Sequence, residues 1–250
     1  MRDEVIYGIH PVLEALRAER QILDKVIIAE GKEGTSFHTL RELAREKGIP
    51  VRVRPRDSLY KLAGNEQHQG VVGLLAGSPY SSWEEFHEKI RSPQGKAVVL
   101  ILDSIEDPQN LGSLMRTAEA CGVRGVLLPK DRAVGITPAV VKASAGAVAH
   151  LPVVRVTNLV TALEDLKKEG FWIVGADPRG DKNLYQMKFD MNVGLVVGGE
   201  GTGIRPLVLK KCDFRVSIPM KGKTSSLNAA IAGAVILFEI LRQQLTMNEC

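Results

Sequence analysis

Apolar positions in the first 75 residues come in short runs of differing period. Val12 to Arg17 has helical spacing after Pro11, and Lys25-Val-Ile-Ile-Ala29 reads as a short strand. Thr39 to Lys47 alternates charged and apolar residues at the helical period, and Gly48 supplies a stop. Val51-Arg-Val-Arg54 alternates strictly, as a half-exposed strand does, and Gly70-Val-Val-Gly-Leu-Leu75 is a further strand. This pattern predicts a small α/β unit over residues 1–76. Residues 77–95 change character. Turn-rich stretches, Gly77-Ser-Pro-Tyr-Ser-Ser82 and Arg91-Ser-Pro-Gln-Gly95, flank one short polar helix around Trp83 to Ile90, which reads as a linker.

From residue 96 strands and helices alternate. Ala97-Val-Val-Leu-Ile-Leu102 is a continuous apolar run, as expected of a strand covered on both faces. A helix follows over Leu111 to Cys121, then a strand at Val123 to Leu128 and a helix at Pro138 to Ala145. Strands at Leu151 to Val156 and Phe171 to Ala176 bracket a helix at Leu159 to Lys168. Val193 to Val197 and Phe214 to Ile218 are strands around a short helix at Pro206 to Lys211, and a long helix runs from about Leu227. Alternation of this kind predicts a mostly parallel sheet with helices on both faces over residues 96–250. The last helix is apolar on every side between Ala229 and Phe238, so it is expected to be buried all round, in the monomer or against a partner subunit.

Composition narrows the class. Hydrophobic residues at 44% and charged residues at 25% are ordinary for a soluble globular chain. The net charge of +4 permits a polyanionic partner without demanding one. Residues 1–92 balance at 14 Lys/Arg against 14 Asp/Glu, yet Arg41 to Lys61 is locally basic, with seven against three. Cys121, Cys212 and Cys250 are odd in number and widely spaced, which supports neither a disulfide framework nor a zinc site. The N-terminal residues lack the apolar core of a secretory signal, and the apolar stretch Leu227 to Phe238 is short for a membrane span. A reduced, cytoplasmic enzyme fits these features, with no metal.

Three segments at strand ends carry the candidate chemistry, and that edge is where open α/β sheets bind ligands. The first is Asp103-Ser-Ile-Glu-Asp-Pro-Gln-Asn-Leu-Gly112, with Arg116 one helical turn further on. Asn110 lies near a helix start, so it is either a helix cap or a site residue; Arg116 is either a salt-bridge partner or a ligand group. The second is Gly198-Gly-Glu-Gly-Thr-Gly-Ile204. Its glycines do not follow the dinucleotide spacing, and Glu200 would repel a pyrophosphate. It is either a tight turn with an incidental acid or a place where Gly198 and Gly199 let a flat ligand approach the backbone. The third is Ser217-Ile-Pro-Met-Lys-Gly-Lys-Thr-Ser-Ser-Leu-Asn228. Gly222-Lys223-Thr224 imitates the tail of a phosphate-binding loop, but position 217 is Ser where that loop needs Gly. Ser225 or Ser226 is expected to cap the last helix, with Asn228 in its first turn.

Together the three segments resemble the signature of the SpoU (TrmH-like) family of RNA ribose 2′-O-methyltransferases over residues 96–250. Tyr7-Gly-Ile-His-Pro11 and His68-Gln-Gly70 resemble the substrate-binding domain of the branch that methylates a guanosine ribose in large-subunit (23S) ribosomal RNA. The resemblance implies a SPOUT fold with a C-terminal trefoil knot, preceded by an L30e-like RNA-binding domain. It also implies S-adenosyl-L-methionine as cofactor and a homodimer. It assigns catalytic or substrate roles to Asn110, Arg116, Glu200, Ser226 and Asn228, and cofactor contacts to Ala176, Gly198, Gly199, Ile218 and Leu227.

A ribose hydroxyl attacking a sulfonium methyl needs a proton acceptor and in-line positioning. None of the three segments contains His. Arg116 is expected to bind the phosphate flanking the target nucleotide, with a phosphate oxygen, water or a perturbed Arg116 accepting the proton. Glu200 and Asn110 would orient Arg116 or the ribose, and Ser226 and Asn228 would hold the hydroxyl or the substrate. Arg52, Arg54 and Arg56 form a candidate RNA face; the alternative is a strand edge protected by charge. A transfer-RNA ribose methyltransferase and a non-catalytic RNA-binding or ribosome-assembly factor on the same fold are the competing readings.

Overall fold

The computed structural model describes residues 5–18, 22–64, 66–76, 78–92 and 95–248; Gly77, Pro93, Gln94 and Cys250 lie outside them. In chain order the elements are β1 (Val5–Tyr7), α1 (Ile9–Arg17), β2 (Leu23–Ala29), α2 (Thr35–Glu46), β3 (Val51–Arg54), α3 (Arg56–Ala63) and β4 (Val71–Leu75). Next come α4 (Trp83–Ile90), β5 (Val98–Asp103), α5 (Pro108–Ala120), β6 (Gly125–Pro129), α6 (Pro138–Ala143), β7 (Val153–Val156), α7 (Leu159–Lys168) and β8 (Phe171–Ala176). The chain finishes with β9 (Lys182–Asn183), β10 (Asn192–Gly198), α8 (Pro206–Leu209), β11 (Phe214–Ser217) and α9 (Ala229–Asn248). Two compact units result: residues 1–79 with 136–150, and residues 80–135 with 151–250.

The first unit holds a four-stranded sheet in the order β1-β4-β2-β3, mixed in direction, with only β2 and β3 parallel. The two motif segments of this unit meet. Gly8 N donates to Val71 O at 3.2 Å, and Ile9 N donates to the Gln69 side-chain oxygen at 2.9 Å. Buried His68 accepts from Gly70 N through Nδ1 at 3.1 Å, which requires a neutral ring. Burial, with help from the Arg56 charge, lowers its pKa and keeps it neutral. Gln69 and Gly70 both have left-handed backbone, at φ 55° and 86°. His-Gln-Gly is therefore a turn buried at His68 and Gly70, whose exposed Gln69 side chain ties it to the start of α1.

The segment 136–150, expected to belong with the later sheet, packs in this first unit. Its Gly146 lies directly against Glu14, where a Cβ would come within 2.5 Å of the Glu14 Cβ. His150 Nε2 lies 3.1 Å from a Glu14 carboxylate oxygen, and Lys142 Nζ donates to the Gln67 side chain. Apolar spacing predicts the helix here but not which unit it joins, because the buried Val140 and Val141 would suit either core.

The second unit is a seven-stranded, all-parallel sheet in the order β7-β6-β5-β10-β8-β11-β9. β5 sits third in this order and is buried at every position, which is why its sequence is continuously apolar. The stretch 77–95 is not merely a linker. Its helix α4 opens on a capping box, with Ser82 and Glu85 each satisfying the other's backbone N–H. Phe86 and Ile90 are buried in the core with Val99, Ile101, Leu127 and Leu163. The Phe86 ring lies over Gly125, where an added Cβ would come within 2.5 Å of it. Burying one such ring stabilises by roughly 1.5–3 kcal/mol, enough to tie the helix to this sheet.

α9 is a 20-residue helix that packs on α5. Gly233 permits the approach, since a Cβ there would come within 2.5 Å of Leu114 Cδ2. Within one chain the helix is not buried all round: one face is open, which leaves burial against a partner subunit as the remaining form of that expectation. Ile231, Phe238 and Leu245, seven residues apart, are each more than half exposed. By length and composition Ala229–Thr246 is also apolar enough to cross a membrane, which the shorter charge-free stretch alone does not suggest. Its other face is built into the core through Ile236, Leu237 and Ile240. Burial pushes the Cys121 thiol up to about 11 and the Cys212 thiol up to about 12, so both stay protonated and inert at neutral pH.

Candidate functional site

The site is built at the C-terminal ends of β5, β8, β10 and β11. β5 ends in Asp103, whose side chain is fully buried. Asp107, not Asn110, caps α5, accepting from Gln109 N at 3.1 Å. Asn110 is thereby left free of capping and is nearly buried, at 8% exposure. Its Nδ2 donates to Glu200 Oε1 at 3.2 Å, and its Oδ1 accepts from Asn228 Nδ2 at 2.9 Å. Asn228 Nδ2 donates to Glu200 Oε1 as well. One residue from each of the three segments thus closes a single polar cluster.

Asn228 also replaces the serines as the cap of α9. Its Oδ1 accepts from Ala230 N at 2.9 Å and Ile231 N at 3.2 Å. Two donated and two accepted bonds exhaust a primary amide. Asn228 therefore has nothing left to hold a ribose hydroxyl; it holds Glu200 in place and fixes the helix start. Ser226 is exposed, lines the neighbouring cavity and has no polar partner among the described residues. Arg116 is exposed on α5 and likewise has no polar partner among the described residues, so neither Asn110 nor Glu200 orients it.

The loop after β10 is packed against its own chain. Gly199 N donates to Asp103 O at 2.8 Å, and Gly203 N donates to Gly199 O at 2.9 Å. A Cβ on Gly198 would fall 2.2 Å from the Gly203 carbonyl carbon, and one on Gly199 would fall 2.0 Å from Ser104 O. These glycines are required by protein backbone, not only by a flat ligand. Ser104 itself takes a left-handed φ of 64° to make room.

Beside this loop lies a cavity of about 580 Å³. Ala176, Gly198, Gly199, Ile218 and Leu227 all line it, together with Glu200, Ser226 and Asn228. Val197, Ile204, Leu209 and Val216 add apolar wall, and Asp177 and Arg179 add charge. Asp177 Oδ1 accepts from Arg179 N at 2.9 Å, which shapes the turn after β8. Arg52, Arg54 and Arg56 lie in the other unit. All three are exposed on or next to β3, a sheet edge paired only with β2.

Comparison with known proteins decides the family. Residues 97–238 match the SpoU rRNA methylase family, and residues 5–81 match the RNA 2′-O ribose methyltransferase substrate-binding family. The chain belongs to the SpoU family. It is 41% identical over 249 residues to a Staphylococcus aureus protein assigned to the TrmH family of tRNA/rRNA methyltransferases, covering both chains in full. It superposes on the SpoU methyltransferase AviRb from Streptomyces viridochromogenes, in complex with AdoMet, with a TM-score of 0.82. The identity there is 27%, with 98% of this chain and 91% of AviRb covered. A structure described for 2-OH methylation of C/U34 on tRNA matches 61% of this chain and 98% of its own, at 30% identity and a TM-score of 0.55.

This SpoU chain is thus an RNA methyltransferase that uses S-adenosylmethionine. Its cavity suits that cofactor by size, since small-molecule sites run to about 300–1,000 Å³. Apolar walls and strand-end backbone suit the adenosine, and Asp177 and Glu200 suit a cation. The buried Asp103, which accepts from Arg205 N and Nε, carries almost no signal in the sequence. The only signal was an acid at the end of a continuously apolar strand.

Proposed function

We propose that this chain transfers a methyl group from S-adenosylmethionine to a ribose 2′-hydroxyl of RNA, at a guanosine of large-subunit (23S) ribosomal RNA. The observation that carries the reading is the joining of Glu200, Asn110 and Asn228 at the rim of a cofactor-sized cavity. The cofactor supplies an electrophilic methyl on sulfur. With the cofactor bound, the ribose 2′-oxygen would take the methyl carbon as the carbon–sulfur pair returns to sulfur, and its proton would pass to water or to a phosphate oxygen of the RNA. Glu200, held on one oxygen by two amides, keeps its other oxygen for substrate or cofactor. Ser226 offers a hydroxyl at the rim, and Arg116 offers a charge to the phosphate beside the target. Arg52, Arg54 and Arg56 are the proposed RNA contacts of the first unit.

Mapping 2′-O-methylation in ribosomal and transfer RNA from a deletion strain against its parent tests this. One lost guanosine mark in large-subunit RNA is expected. A lost mark in transfer RNA instead would move the substrate to the alternative reading, which the similarity to the C/U34 structure favours. Unchanged RNA, with no S-adenosylmethionine binding by calorimetry, would favour a non-catalytic factor.

A homodimer in the cytoplasm completes the proposal. The open stripe Ile231, Phe238 and Leu245 supports it, because a second copy would cover the three apolar side chains. Phe238→Arg is expected to convert a dimer to a monomer in sedimentation. A monomeric unaltered protein at micromolar concentration would remove the dimer from the reading. The trefoil knot is proposed with it, supported by the insertion of β10 between β5 and β8.

A further inference from the structure

Asp103 is fully buried, and its carboxylate is spent almost wholly on one residue. Oδ2 accepts from Arg205 N at 2.8 Å and Oδ1 accepts from Arg205 Nε at 2.6 Å, with only a long 3.4 Å contact from Ser104 Oγ besides. The backbone bond alone would pin the loop end, and any residue except proline at 205 would provide it. The bond to Nε does something different. It fixes the plane of the guanidinium while leaving both Nη groups unused. Among the described residues these Nη groups have no polar partner, and the side chain is 34% exposed. A guanidinium is a rigid fork, so gripping it at Nε aims its two remaining nitrogens outward.

The place matters as much as the geometry. Arg205 ends the loop that begins at Gly199, and Asp103 binds both ends of that loop: Gly199 N through its carbonyl and Arg205 through its carboxylate. Glu200 is the second residue of the same loop, and residues 199–204 wall the cavity. A cation preset by a fully buried acid, next in the chain to the cavity-lining Ile204, is built to receive an anion without reorganising. We propose that Arg205, oriented by Asp103, is a substrate-binding residue whose Nη pair grips a backbone phosphate of the RNA. Asp103 is its positioning residue. This rests on the reading that RNA is the substrate.

The experiment measures binding of unmodified large-subunit rRNA and tRNA transcripts to the full chain across a salt series. Each phosphate contact contributes close to one unit of the log–log salt slope, so Arg205→Gln is expected to lower that slope by about 0.7–0.9. At low salt it is expected to weaken binding about 10-fold or more. Affinity for S-adenosylmethionine by calorimetry is expected to stay within about 2-fold, since the loop's backbone bonds remain. Arg205→Lys keeps the charge but not the fork. It is expected to keep the slope and still lose several-fold in affinity, and it serves if the glutamine variant does not fold. An unchanged slope in Arg205→Gln, a wild-type affinity in Arg205→Lys, or lost cofactor affinity in either would overturn the phosphate role alone. Failure of the unaltered protein to bind either transcript would overturn the RNA reading and this inference with it.

Discussion

Gly199→Ala is expected to lower the thermal midpoint by several degrees and to abolish cofactor binding. The new methyl would sit 2.0 Å from Ser104 O and 3.0 Å from its carbonyl carbon, both of them backbone atoms. No rotamer change relieves such a clash, so either β10 or the turn after β5 must move. Forced overpacking typically costs ~1–3 kcal/mol, occasionally more, and in a chain of this length each kcal/mol lowers the midpoint by roughly 2–4 °C. The displaced atoms include the Gly199 N–H that donates to Asp103 O, so the cavity wall moves with them. Differential scanning calorimetry gives the midpoint, and titration calorimetry gives the S-adenosylmethionine affinity. A variant with both values unchanged would show that the loop is not held as described.

Arg116→Ala is expected to do the opposite: no loss of fold or cofactor affinity, but methyl transfer reduced by at least about 10²–10³-fold, as for loss of one preorganised charged donor. Arg116 is exposed and spends no hydrogen bond on the protein among the described residues, so its removal breaks nothing in the fold. Exposed substitutions of this kind usually fall within about ±0.5 kcal/mol in stability. Single-turnover transfer to an unmodified transcript, measured beside titration calorimetry, separates the two effects. Wild-type turnover would remove Arg116 from the reaction.

Pattern made some of this fold legible and hid the rest for identifiable reasons. β3, α4, α7 and β8 lie where their periodicity puts them. The allegiance of α4 was hidden, because Trp83, Phe86 and Ile90 make a half-polar helix that reads as surface until Gly125 offers its ring a seat. α3 was missed since Arg56 to Ala63 buries only Leu59 and so has almost no apolar stripe. The excursion of 136–150 into the first unit depends on Gly146 meeting Glu14, a contact with no local trace. In the site, motif spacing located Glu200, Asn110 and Asn228 but not their division of labour. Three residues within four positions, Ser225, Ser226 and Asn228, all have capping chemistry, and only the folded chain shows that Asn228 takes the role. For the glycines at 198 and 199 sequence left a tight turn and room for a ligand both open, because it cannot reveal that Gly203 and Ile204 crowd Gly198 and Ser104 crowds Gly199.

Asn228 also sets a schedule. Its amide draws together the helix after β5, the loop after β10 and the first turn of α9, so the Asn110–Glu200 pair gains its third member only when the start of α9 is placed. Contacts this far apart in the chain are slow to form. The cofactor cavity is therefore among the last features to mature, and S-adenosylmethionine binding doubles as a proof that the whole C-terminal unit has been assembled correctly. A chain truncated before α9 would lose the Ala229, Ala232 and Ile236 wall of the cavity, and titration calorimetry is expected to find its S-adenosylmethionine affinity lost with it.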